Sequence, residues 1–145
     1  MQLGVQLFLP RDTRYVPVMR RVAQCLLTGL DLPREDVDDI ELVLSEACTN
    51  VVRHAEGTEG YSVDLQIDAQ GCAIEIVDLG PGFGADFTAS AAGTTRSGDA
   101  DETGRGLHLM RSLVDDLQFR RDERETTVRL VKRWTSSAQV ETSSA

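Results

Sequence analysis

Three clusters of residues combine types and spacings that chemistry can use. The first is Glu46-Ala47-Cys48-Thr49-Asn50, inside ELVLSEACTNVVRHA. Glu46 and Asn50 are four residues apart and share one face of a helix, roughly opposite Leu44 and Val51. A carboxylate there can act as general base, and a carboxamide oxygen can ligate a hard cation. Taken alone, such a pair reads first as a solvated polar helix face. The second cluster, Asp78-Leu79-Gly80-Pro81-Gly82-Phe83-Gly84, follows the apolar run Ala73–Val77. Asp78 at a strand end can accept hydrogen bonds from an amine-bearing ring. Gly80 and Gly82 either let the backbone approach a flat ligand or serve a tight turn with positive φ. The third is Gly104-Arg105-Gly106-Leu107-His108-Leu109. Two glycines before a helix would aim free backbone N–H groups and the helix dipole at one spot, which suits phosphate oxygens. Arg105 can add a charged donor. The run is neither a Walker loop, since no GK[ST] follows, nor a GxGxxG dinucleotide fingerprint.

The elements that must position these clusters follow from periodicity. Gln2 to Leu9 alternates as a strand, with Leu3, Val5, Leu7 and Leu9 on one face. Thr13 suits the N-cap of a helix reaching Leu30, with Val18, Val22, Leu26 and Leu30 as its apolar stripe. A second helix fits Arg34–Ala55, with an acidic start and a core stripe of Val37, Ile40, Leu44, Ala47 and Val51. Tyr61–Ile67 and Cys72–Val77 read as a hairpin around Asp68-Ala69-Gln70-Gly71. Residues 85–104 offer little to bury and read as a mobile loop. A third helix fits Leu107–Asp116, and Leu117–Arg121 with Thr126–Lys132 close the chain as an antiparallel pair. The expected fold is a two-layer α/β (α+β) sandwich: a mixed, mostly antiparallel sheet with helices on one face. Residues 1–134 form the domain and 135–145 a polar tail.

Composition narrows the function classes. The 145 residues, 41% hydrophobic and 27% charged, suit one globular domain. With 24 acidic and 15 basic residues the net charge is −9, which argues against a general nucleic-acid or acidic-membrane binder. Three scattered cysteines, with no CxxC pair, make a disulfide frame or zinc site a poor reading, and two histidines do the same for a His metal site. No basic leader and no apolar run of membrane-spanning length is present, so a reduced, soluble, cytoplasmic protein is expected.

The order and spacing of the clusters say more than any one of them. A polar helix face, a DxGxG turn about thirty residues on, a long loop and GxGL entering a helix resemble the Bergerat (GHKL) ATP-binding fold. That superfamily includes gyrase, chaperone ATPases, histidine kinases and MutL. SEACTNVVRHA, DLGPGFG and GRGLHLM resemble more narrowly the anti-sigma-factor serine/threonine kinases, across residues 3–133. The resemblance implies a role for each matching residue. Glu46 would be the general base and Asn50 the Mg²⁺ ligand. Asp78 would hold the adenine amine, with Gly80 and Gly82 shaping its pocket. Gly104, Arg105, Gly106 and Leu107 would meet the phosphates under a lid formed by residues 85–104. Thr126 matches the threonine of a late strand near adenine, although Glu125 stands where glycine is usual. The resemblance implies ATP and Mg²⁺ as cofactors and a STAS-domain anti-sigma-factor antagonist as substrate. It also implies a sequestered sigma factor in stress-response transcription regulation, and a homodimer. A catalytically idle, nucleotide-gated binding module is the alternative.

Overall fold

The turn at residues 68–71 closes on itself. Asp68 Oδ1 accepts from the backbone N–H of Gln70 at 2.7 Å and of Gly71 at 2.9 Å. This Asx arrangement joins β2, Gly60–Asp68, to β3, Gly71–Leu79. The computed structural model, which describes residues 1–54, 60–79, 100–121 and 125–135, adds β1 at Gln2–Pro10, β4 at Asp116–Arg121 and β5 at Glu125–Arg133. The sheet order is β1-β2-β3-β5-β4. Every pairing among the described strands is antiparallel, so the mixed sheet expected from sequence does not form. Strands β3 and β4 run parallel to each other, but β5 inserts between them.

The helices are α1 at Val16–Gly29, α2 at Arg34–His54 and α3 at Ala100–Leu113. One buried cluster joins them to the sheet, with Ala23, Ile40, Val51, Leu65, Ile76, Met110 and Leu130 at most 1% exposed. The α2 stripe is as expected. The α1 stripe is not: Val16, Met19, Ala23 and Leu27 are buried, and Val18 is 45% exposed. Residues every four along a helix drift by roughly 40° per step, so the row 18, 22, 26 and 30 starts on the side away from the core at Val18 and reaches the core's edge only at Leu26 and Leu30, which are partly buried against it. The set 16, 19, 23 and 27 stays on one narrow stripe.

Two helix starts also differ from expectation. Asp12, not Thr13, caps the chain's entry into α1: its carboxylate accepts from Arg14 N at 2.9 Å, and a 3-10 turn at Thr13–Tyr15 precedes the helix. Helix α3 begins at Ala100, not Leu107, so Gly104 and Gly106 lie inside it. It ends at Leu113, because Asp115 N donates to Val131 O at 2.8 Å and draws the chain into the sheet. Of the loop expected at 85–104, residues 85–99 lie outside the described residues. Trp134 anchors the last strand, its indole N–H donating to Asp68 O at 3.0 Å. Thr135, assigned to the tail, donates to Asp36 Oδ2 through its backbone N–H at 3.0 Å.

Candidate functional site

Strand β3 alternates cleanly. Cys72, Ile74 and Ile76 are buried, and Asp78 continues that buried parity at 0% exposure. A carboxylate on a core face needs a cation or several donors. Arg11 supplies the cation, its Nη2 donating to Asp78 Oδ1 at 2.7 Å. Sequence reading passed over Arg11. The signal that could have found it is the parity of Asp78, which places a charge among Ile and Cys side chains and demands a partner.

The register builds a row around Asp78. Leu9 pairs with Tyr61, Tyr61 with Asp78, and Asp78 with Thr126. The sheet thus brings Asp78 and Thr126 side by side, although they are 48 positions apart in sequence. Thr126 is 1% exposed, and its Oγ1 has no hydrogen-bond partner among the described residues.

Helix α2 brings the other half of the site. Asn50 is only 4% exposed, so the solvated-face reading fails for it, and its Nδ2 has no partner among the described residues. Glu46, one turn earlier, is half-buried. What covers them is α3. A β-carbon at Gly106 would stand 2.9 Å from Glu46 Oε2 and 3.5 Å from Asn50 Nδ2. Glycine is what lets the α3 backbone come this close. Cys48, midway between Glu46 and Asn50, lies beside Tyr61, which flanks Asp78 in the sheet. Through that contact the α2 turn and the Asp78 row belong to one region. Burial pushes the Cys48 thiol up to about 12 and the Tyr61 hydroxyl higher than usual.

The remaining expected residues divide. Gly80 and Gly82 lie outside the described residues. Gly104 and Arg105 are the fifth and sixth residues of α3, just over one turn from its start, so the N–H groups of Gly104 and Gly106 fall beyond the first four that a helix leaves unpaired. The expected presentation of these glycine N–H groups at a helix N-terminus is therefore not the arrangement seen. Leu107 is 2% exposed, its side chain packed in the core cluster rather than turned to a ligand. Among the described residues no three His, Cys, Asp or Glu side chains come together to hold a metal.

The chain resembles known proteins over nearly all its length. The family model of the histidine kinase-like ATPase domain matches residues 9–132. The serine-protein kinase RsbW of Bacillus cereus strain G9842 is 26% identical over 146 aligned positions, covering 94% of this chain and 88% of the relative. RsbW of Halalkalibacterium halodurans is 30% identical over 125, covering 81% and 76%. Two solved structures share the fold. The RsbU and RsbW domains of Rv1364c from Mycobacterium tuberculosis superpose with TM-score 0.69 at 18% identity, over 91% of this chain and 32% of that one. A chain of the SiaB–SiaC complex from Pseudomonas aeruginosa gives 0.66 at 11%, over 88% of each. With the Glu46–Asn50 turn, the buried Asp78 and Gly106 in the expected order, the chain belongs to the histidine kinase-like (GHKL) ATPase family, in its anti-sigma-factor serine kinase branch.

Proposed function

We propose that this chain is an ATP- and magnesium-dependent protein serine/threonine kinase that phosphorylates a STAS-domain antagonist and sequesters a sigma factor. The observation that carries the reading is a set of buried polar atoms left without hydrogen-bond partners among the described residues. Arg11 Nε, Asn50 Nδ2 and Thr126 Oγ1 belong to it: Arg11 pairs with Asp78, Thr126 stands opposite Asp78 in the sheet, and Asn50 faces Gly106. Native proteins satisfy such groups, so orphans beside Asp78 and beside Gly106 point to a polar ligand.

The residues fit a magnesium ion bound with a nucleotide. A buried carboxamide beside a carboxylate is a hard-oxygen donor set, and this cation commonly takes one or two protein ligands, completing its shell with phosphates and water. Asn50 would hold the ion, which when bound neutralises charge developing on the phosphates. Asp78 accepts from the adenine amine, with Thr126 beside it in the sheet. Arg105 meets the phosphates, and Gly106 lets α3 pass close to Glu46 and Asn50. Glu46 takes the proton of the substrate hydroxyl as the oxygen–phosphorus bond forms and the bond to the departing ADP oxygen breaks. A homodimer and a cytoplasmic setting belong to the same reading. No helix among the described residues is long and apolar enough to cross a membrane.

The test is labelled ATP with a STAS-domain antagonist. Wild-type protein is expected to yield acid-stable phosphoserine or phosphothreonine. Glu46→Gln is expected to keep nucleotide affinity and lose transfer by roughly 10²–10⁴. Asn50→Ala is expected to weaken both. Nucleotide-dependent partner binding without any transfer would instead make the chain a gated binding module.

A further inference from the structure

Asp78 and Arg11 are 67 positions apart in sequence, yet they form a largely buried ion pair, with side chains 0% and 12% exposed. Arg11 stands just past β1, two strands from β3, a span of roughly 10 Å that a long guanidinium side chain can cross. Its backbone is held on both sides. Pro10 before it has a fixed φ and accepts from Asp12 N at 2.8 Å. Asp12 after it caps the 3-10 turn. The donor is therefore delivered from a fixed base. The contact is end-on: Nη2 meets Oδ1, while Nε is buried with no hydrogen bond among the described residues.

We propose that Arg11 is the positioning residue of the base pocket. It pins Asp78 Oδ1 and holds the carboxylate as an oriented acceptor, and so it sets the preference of the site for a purine bearing a 6-amino group. The proposal rests on the reading above that Asp78 meets the adenine amine. Physically, a buried carboxylate that loses its cation turns to whatever other donor is in reach. An acceptor that has turned away no longer distinguishes a base with an amine from one without. The rest of the nucleotide is held elsewhere, so its contribution to binding is unaffected.

The experiment is titration of Mg-ATP and of purine riboside triphosphate, which lacks the 6-amino group. It uses wild type, Arg11→Gln, Arg11→Lys and Asp78→Asn, with thermal unfolding as a check on folding. Wild type is expected to prefer ATP by about ten- to a hundredfold, the worth of one charge-assisted hydrogen bond. Arg11→Gln is expected to cut that preference to about threefold or less by weakening ATP alone. Arg11→Lys keeps the charge without the planar fork and is expected to fall between. Equal weakening of both nucleotides in Arg11→Gln overturns the proposal, since that is what a merely structural role produces. So does an unchanged preference in Arg11→Gln, or in Arg11→Lys should the glutamine variant not fold. Asp78→Asn separates the two levels. If it abolishes the preference while the Arg11 variants keep it, only the role of Arg11 fails. If Asp78→Asn keeps it too, the base reading fails with it.

Discussion

Gly106 on α3 faces Glu46 on α2 so closely that a β-carbon at 106 would lie 2.9 Å from the Glu46 carboxylate. The obstructing atom is the far end of a flexible side chain, so Gly106→Ala is expected to displace Glu46 and leave the fold standing. Alanine is also the better helix former, by up to about 1 kcal/mol. The expected outcome is an unchanged or raised melting temperature with phosphotransfer lowered by roughly 10²-fold, the scale of an ångström's misplacement. A calorimetric scan paired with the transfer assay reads both. Full activity in the alanine variant would detach Gly106 from the catalytic geometry.

Lys132, the chain's single lysine, ties three elements together at the far end of β5 from Thr126. Its Nζ donates to Leu113 O at 2.9 Å, closing the end of α3, and lies 3.2 Å from Asp39 and 3.8 Å from Asp36 on α2. Lys132 is 8% exposed and Asp36 0%. Lys132→Met would strand a buried carboxylate, an error that typically costs about 3–5 kcal/mol. Urea unfolding is expected to show a loss of that size. Adding Asp36→Asn, which removes the stranded charge, is expected to recover part of it. A loss below about 1 kcal/mol would mean the cluster is solvated in solution.

The three cysteines are expected to react unequally. Cys25 is exposed, whereas Cys48 and Cys72 are buried and burial pushes each thiol up to about 12. At pH 8 a group with that pKa is ionised in about one molecule in 10⁴, and only the thiolate attacks. One fast thiol is therefore expected with a disulfide reagent in native protein at pH 8, and three in denaturant. Rapid labelling of Cys48 would show that α2 opens next to the site.

Much of this molecule is legible along the chain. Glu46 and Asn50 share a helix face because an α-helix repeats every 3.6 residues, a local property. The core stripe of α2, the turn at Asp68–Gly71 and the alternation of β1 are equally local, and each forms where the residue pattern demands. The element order with its spaced clusters also pointed to the family, since those spacings are properties of the chain itself.

Tertiary structure decided the rest. Whether Asn50 is solvated or enclosed depends on α3, which arrives some fifty residues later and brings Gly106 against it. Which apolar stripe of α1 is buried depends on what it meets, and both stripes repeat at helical spacing. That β5 rather than β4 lies beside β3 is a choice of strand pairing, and it sets Thr126 next to Asp78. The Arg11–Asp78 pair follows from the same register, because neither residue carries a local signal for the other. A buried charge takes its partner from whatever the sheet places within reach, and the sheet is assembled only when distant segments pair.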